Sequence, residues 1–419
     1  MFFLQVGAEM FCRQSGYPMQ VNALALTVAA LIAAVSVHAQ PGYRKIDPKP
    51  LPIHAWIGPP AAETTPARYK ELRAAGFTHS MSGFPDADVM AAALDVAQAA
   101  GVKLFVNCSE LHADPEGTVK RFMNHPALAG YHLRDEPDAA AFPELGEWVK
   151  RIRAVDDAHF CYINLFPNYA TPEQLGSPTY DAHVKAFVKQ VPVQTLSFDH
   201  YPVTVDGVRP EWYENLDIIS REARNAGKPF WAFVLAVAHG SYPIPTPAHL
   251  RLQAWTNLAY GAQGIQYFTY WTPTGTRWNF HEGPIRADGT KSPVYELVTA
   301  MNEEIQAVSG VFNGAKVVSV MHTGKTIPRG TTRFTPADPF YTIETDGLGA
   351  VISILDNGSS RYIVAVNRDI EAPMSITAVI DPGAGVKRVY KDGTIRPFAT
   401  SRMTETVEPG DMIIYMWNN

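Results

Sequence analysis

The 419-residue chain is 46% apolar, enough to fill the core of one large domain and a smaller one, and its net charge is −6. With no basic run to track a phosphate backbone, this balance argues against nucleic acid as a partner. The 33 prolines and 11% aromatic residues suit many irregular loops but select no function.

The first forty residues read as a leader rather than as fold. Ala23 to Val37 is apolar apart from Thr27 and Ser36, and Val37-His38-Ala39 before Gln40 has the small-x-Ala form of a secretory cleavage site. The run is shorter than the ~20 residues a membrane span needs. Residues 1–39 are expected to be a cleaved signal peptide, leaving an exported, periplasmic or extracellular protein with no membrane span. Cys12 falls in the leader. Cys108 and Cys161 lie on predicted strands three and five, which are not neighbours in a barrel, and are expected as buried free thiols.

From His54 to Gly314 strand-like and helix-like segments alternate. The strands fall at 54–58, 77–82, 102–107, 128–134, 159–165, 194–199, 229–235 and 264–270. The helices fall near 66–75, 86–100, 116–124, 142–154, 180–190, 210–226, 246–262 and 292–308. Gly76, Gly101 and Gly227 sit where left-handed helix caps are expected. Eight β-then-α units in about 260 residues have the rhythm of a (β/α)8 barrel. An open doubly wound sheet fits less well, because no Gly-x-Gly-x-x-Gly follows the first strand. After Gly314 the pattern turns to period-two alternation. Val351 to Leu355, a turn at Asp356-Asn357-Gly358, and Arg361 to Val366 predict a hairpin. Further strands at 374–380, 386–390 and 412–417 complete a small antiparallel β-sandwich, so the domains are 40–314 and 315–419. Tyr415 and Trp417 alternate like core residues of that sandwich.

Residues 128–137, Leu-Ala-Gly-Tyr-His-Leu-Arg-Asp-Glu-Pro, carry the most chemistry. Pro137 cannot extend a hydrogen-bonded ladder, so Asp135 and Glu136 stand at the carboxyl-terminal lip of strand four, where barrel active sites form. The other strand ends add Trp56, Asn107, Glu110, Asn164, Asn168, Asp199-His200-Tyr201, His239 and Tyr270-Trp271. The loop after strand eight adds Trp278, His281 and Glu282. Acids for proton transfer, amides and histidines for hydroxyls, and rings for the C–H faces of pyranoses are what a carbohydrate site requires.

The run Gly130 to Pro137 resembles the strand-four signature of clan A glycoside hydrolases. Its Asp-Glu-Pro form is similar to agarase-like and family 42-like bacterial barrels. Asn164-Leu-Phe-Pro-Asn, Ser197-Phe-Asp-His-Tyr-Pro, Gly264-Ile-Gln-Tyr-Phe-Thr-Tyr-Trp and the closing sandwich fit the same group. The resemblance implies that Glu136 is the acid/base, that Asp135 takes the place of the preceding amide that holds a sugar hydroxyl, and that Trp271 floors the subsite. One departure stands out. The clan places its nucleophile, a Glu, at the end of strand seven, whereas Lys228 to Gly240 contains no carboxylate.

Glycoside hydrolysis normally uses two carboxylates. Asp199, at the mouth end of strand six, is the first candidate for the second, followed by Glu282 and Glu110. Glu136 and Asp199 are therefore expected to be catalytic. Trp56, Asn107, Asp135, His200, Tyr201, Trp271 and Glu282 are expected to bind the carbohydrate substrate, with no metal and no cofactor. A carbohydrate-binding protein on a degenerate barrel is the competing reading. A metal-dependent hydrolase using His132, His200 and His239 is disfavoured, because strand one reads His54-Ala55-Trp56 rather than a paired His-x-His. No pattern in the sequence selects a sugar, a linkage or an oligomeric state.

Overall fold

The computed structural model describes residues 44–398 and 400–418. The predicted leader, its cleavage site and Cys12 lie outside the described residues. Eight parallel strands form the barrel: β1 (Ile53–Trp56), β2 (His79–Met81), β3 (Lys103–Val106), β4 (Leu128–Asp135), β5 (Phe160–Asn164), β6 (Leu196–Phe198), β7 (Phe230–Leu235) and β8 (Gly264–Phe268). They are ordered β5-β4-β3-β2-β1-β8-β7-β6. Closure between β5 and β6 rests on one parallel bridge, Leu165 to Phe198.

A helix follows each strand: α1 (Pro66–Ala74), α2 (Ala87–Ala100), α3 (Pro115–Phe122), α4 (Phe142–Val155), α5 (Tyr180–Gln190), α6 (Trp212–Asn225), α7 (Pro247–Ala259) and α8 (Pro293–Ala307). Their starts are written in the sequence. Thr65, Asp86, Asp114, Thr179, Thr246 and Ser292 each accept a backbone N–H from the first turn, and Pro at the start of α1, α3, α7 and α8 gives up a donor that would be idle there.

The barrel interior is filled by rings rather than by aliphatic side chains. Phe105 stacks on His54, Tyr162 and Trp231 pack tilted and edge-on against His54 and His79 respectively, and Phe160 meets Phe105 and Trp231 edge-to-face. Two glycines make room for them. Gly264 is paired with Trp231, and a Cβ there would lie 2.6 Å from the indole; at Gly130 it would lie 2.3 Å from the Phe160 carbonyl oxygen. Burial holds His54 and His79 well below the usual imidazole range, so both are neutral members of the core.

The C-terminal sandwich stacks a six-stranded sheet on a three-stranded one. Its strands are β9 (Lys316–His322), β10 (Phe340–Thr345), β11 (Ala350–Asn357), β12 (Ser360–Asn367), β13 (Met374–Ile380), β14 (Lys387–Val389), β15 (Ile395–Pro397), β16 (Arg402–Val407) and β17 (Met412–Asn418). The large sheet runs β9-β11-β12-β17-β14-β15, and the small one β10-β13-β16. Alternation along β11 and β12 sends Val351, Leu355, Val364 and Val366 into the barrel-side core. Ile352, Ile354, Ile363 and Ala365 go into the core between the sheets, with Tyr415 and Trp417. The β11–β12 hairpin extends one residue further than predicted. Asn357 pairs with Ser360 and spends its amide on the carbonyls of Gly310, Val311 and Asn313, tying the hairpin to the chain leaving α8.

Residues 43–419 make one compact unit, because the barrel is strapped to the sandwich at its entry. Ile46 N–H donates to Gly393 O and Ile395 N–H to Arg44 O, both at 2.8 Å. Gln306 of α8 then exchanges two hydrogen bonds with Leu51. Cys108 and Cys161 are buried free thiols. Among the described residues, no helix is long and apolar enough to cross a membrane.

Candidate active site

Glu136 sits at the lip of β4 in the left-handed backbone region, with φ 45°. A bulky L-residue adopts that conformation at a cost of about 1–2 kcal/mol and keeps it only where the surroundings enforce it. The enforcement is visible. Glu136 N–H donates to Asn164 O at 2.8 Å, and β4 slips register against β5 between His132 and Arg134, which turns the lip. Pro137 ends the strand, and Asp138 caps the short turn that follows.

Asn164, the last residue of β5, holds the acids together. Its Nδ2 donates to Asp135 Oδ1 at 3.1 Å and to Asp199 Oδ1 at 2.9 Å, while its Oδ1 accepts from Ser197 Oγ at 2.9 Å. Ser197 Oγ accepts from Gln266 Nε2 at 2.9 Å and lies 2.8 Å from Tyr162 Oη, which donates to Gln266 Oε1. One buried amide thus sets the positions of two carboxylates from two strands, and every link behind it has a partner.

This crowding decides the proton inventory. Burial raises Glu136 to about 7, with the neighbouring Asp135 adding to the effect. Burial, then Glu136 and Asp135, push Asp199 well above the ordinary carboxylate range, while hydrogen bonds from Asn164 and Tyr201 pull it back. Asp135 is exposed to solvent, yet the surrounding protein moves its titration up, against the hydrogen bond from Asn164. The three acids share protons as a group. Donors favour the anion at Asp199 and Asp135; among the described residues none meets the Glu136 carboxyl.

The β7–β8 side of the mouth is different. Tyr201, Phe233, Tyr242, Phe268 and Phe280 form a wall with Trp56, and His239 packs at a tilt against Phe280 and Tyr242 with centroids 4.4 and 4.8 Å away. Trp278 is half exposed beside His239. Two backbone bonds between Ala238 and His281 fasten the β7 and β8 loops to each other.

The predicted site residues divide accordingly. Asp135, Glu136, Asp199 and Tyr201 come together, with Asn164 between them. Trp56 is buried edge-on to His132 and Phe233 in the upper barrel layer. The Asn107 carbonyl accepts from Phe84 N–H, joining the β2 and β3 loops. His200 is 1% exposed, with Nδ1 on Asn215 Oδ1 at 3.3 Å, and burial lowers it to about 3, so it packs as a neutral ring.

Trp271 does not join the mouth wall. The chain leaves the strand after Phe268, and the indole is buried in the outer core beneath the Arg68 guanidinium, 5.1 Å from its centroid. Glu282 gives both oxygens to Arg286 at 2.8 and 2.9 Å, a pairing that holds its carboxyl below the usual range. Glu110 accepts from Ala87 N–H at the start of α2 and from Ser109 Oγ. Both acids are engaged elsewhere. His132 and His239 lie among rings, and among the described residues no three His, Cys, Asp or Glu side chains gather as a metal-ligand set.

Tyr169, Arg209 and Tyr242 come from the loops after β5, β6 and β7 and cluster beside the Asp199–Tyr201 pair. Tyr201 contacts Tyr242 at 6.0 Å, and Tyr169 lies within the field of Asp199. No local motif marks them. The only available signal was their position a few residues beyond predicted strand ends.

A family model described as β-galactosidase, of glycoside hydrolase family 42, matches residues 164–308. The stretch takes in Asp199 but not Glu136, and is less than half of the chain. No curated protein sequence matches the chain. Among solved structures, a catalytic mutant of a family 42 β-galactosidase from G. stearothermophilus aligns with TM-score 0.55 at 9% identity, covering 90% of this chain and 100% of that one. The α-amylase of Geobacillus thermoleovorans, complexed with acarbose, gives 0.53 at 10% identity, covering 88% and 98%. The β-galactosidase of the psychrophilic Marinomonas ef1 gives 0.46 at 12% identity, and the chain spans only 60% of its length while 62% of this chain is covered. At such identities the likeness is one of fold: a (β/α)8 barrel closed by a β-sandwich.

Proposed function

We propose that this chain is an exported glycoside hydrolase that cleaves O-glycosidic bonds of an oligo- or polysaccharide, without metal or cofactor. One observation carries the reading: a barrel-mouth recess in which Glu136, raised to about 7, interacts electrostatically with Asp199, while the Asn164 amide ties Asp199 to Asp135. The match to a β-galactosidase family model over residues 164–308 supports the same class, and the leader-like residues 1–39 support export.

In the reactive form the group's proton sits on Glu136, whose anion no donor stabilises among the described residues. Glu136 gives that proton to the glycosidic oxygen as the bond to the anomeric carbon breaks, and the alcohol leaves. Asp199, to which Asn164 and Tyr201 donate, supplies the second carboxylate as the anion whenever the shared proton sits on Glu136. It either bonds the anomeric carbon or takes a proton from the water that attacks it, and the anomer first released reports which. The aromatic wall offers flat apolar faces to the sugar ring.

The test is a glycan panel with anomer-resolved product detection on wild type and Glu136→Gln. Turnover by wild type, with loss of turnover but retained binding in the variant, is the expected result. The carbohydrate-binding alternative is motivated by the absence of a carboxylate from β7 and its loop. It prevails if wild type binds glycans across the panel and cleaves none.

A further inference from the structure

Beside the rings that flank Asp199 and Tyr201 stands a cation, Arg209, and nothing in the hydrolytic step requires it. Arg209 follows a short hairpin (Val203–Thr204 with Gly207–Val208) after β6, and its backbone N–H is fixed to Pro202 O at 2.8 Å. Its guanidinium carbon lies 4.8 Å from the centroid of the Tyr169 ring and 5.8 Å from that of Tyr242. These two rings flank the Asp199–Tyr201 pair, so the cation is one side chain away from the proposed cleavage point.

The guanidinium is clamped but poorly satisfied. Nη2 reaches Tyr242 Oη at 3.5 Å, Nη1 lies 3.6 Å from the Glu211 carboxylate, and Nε is buried without an acceptor among the described residues. An arginine serving only as a brace is normally paired bidentately at well under these distances, as Arg286 is with Glu282. Five rigid donors held flat between rings, most of them idle, are preorganised for a planar or tetrahedral oxyanion. A cleft of about 260 Å³ opens beside it, lined by Thr204 and Ser241 and also by the acids Asp206 and Glu211, so Arg209 is the cation an anionic group entering it would have to reach. Three carboxylates at the centre of the mouth would repel a charged sugar; a cation at its edge offsets that repulsion.

We infer that Arg209 receives an anionic substituent on a sugar next to the scissile bond, a uronate carboxylate or a sulfate ester, so that the substrate is an acidic glycan. The inference rests on the hydrolase reading for its substrate, and its test is built to fail separately.

Wild type, Arg209→Lys and Arg209→Gln are compared on matched neutral, uronate-bearing and sulfated oligosaccharides, by hydrolysis and by calorimetric binding. Wild type is expected to favour one acidic series by about 10–100-fold in kcat/KM or affinity, with the preference shrinking as salt rises. Gln should bring the acidic-to-neutral ratio close to one, and Lys should restore part of it. Which series is favoured separates carboxylate from sulfate. Equal handling of neutral and acidic glycans by wild type overturns the inference. So does an equal loss on both in the Gln variant, which would make Arg209 a brace for Tyr169 and Tyr242. If no glycan is cleaved, the hydrolase reading falls, while the binding ratios still decide the role of Arg209.

Discussion

The two halves of the barrel mouth are built on opposite principles. On the β4–β6 side, acids crowd into a recess where water is scarce, and a single amide keeps them in place. On the β7–β8 side, where related barrels would be expected to carry a second acid, the chain offers Val237, Ala238 and His239 among rings. The contrast teaches that proton chemistry and sugar contact can be given to separate halves. The charge then concentrates on one side, and the titration of Glu136 follows from that concentration.

The sharpest way to break the contrast is Asp199→Asn. If the acidic half holds both catalytic groups, kcat should fall by roughly 10²–10⁴-fold with the fold retained by circular dichroism. The Glu136 carboxyl, relieved of a like charge, should titrate lower by carbon NMR. A variant with near-normal kcat would move the second acid elsewhere. Asn164→Ala should cost about 10–100-fold in kcat, since two carboxylates lose a charge-assisted donor. A change confined to KM would deny Asn164 its part in ordering them.

Stability gives an independent reading of the same crowding. The Glu136 titration is raised from 4.5 to about 7, so the folded form prefers the protonated acid. That contribution is complete below about pH 4.5 and is lost as pH climbs to about 7. Glu136→Gln should therefore melt higher than wild type at pH 7.5, by the equivalent of about 1–3 kcal/mol, and lose part of the fall in Tm between pH 5 and 7.5. Identical pH–Tm curves would remove the buried-acid account. On the aromatic side, Trp278→Ala should raise KM several-fold with little change in kcat, about 1 kcal/mol of ring contact. Smallest of all, Glu282→Gln should change kcat/KM by less than about threefold, because its carboxylate is committed to Arg286; a loss comparable to that of Asp199→Asn would reverse the ranking of the two acids.

Much of this was legible in the sequence, for physical reasons. Parallel strands buried on both faces read as apolar runs, and helix caps such as Thr65, Asp86 and Thr246 announce themselves locally, so the barrel elements agree with their predicted positions to within a few residues. The lip at Asp135 and Glu136 was equally local, since Pro137 ends its strand. Four sandwich strands were missed. Arg402–Val407 alternates between exposed and half-buried polar residues, and Phe340–Thr345 buries only Phe340 and Ile343, too little apolar signal to mark an edge sheet. Trp271 is a subsite floor by resemblance alone, and here the strand ends at Phe268 and the indole lies in the outer core beneath Arg68. Tyr169, Arg209 and Tyr242 meet only because three loops converge, and no spacing rule in one chain encodes that.

The strap at residues 44–46 has a consequence for how the molecule is assembled. The lead-in to the first barrel strand is secured by hydrogen bonds to residues 393 and 395, which are made only after the whole barrel sequence. A ribosome releases the whole barrel before its entry can be latched, so the early chain must wait for a late one. Deleting the sandwich would therefore do more than remove an appendage: it would leave the opening of β1 without its fastening, and the loosening would begin at the foot of the barrel, far from the acids at its mouth.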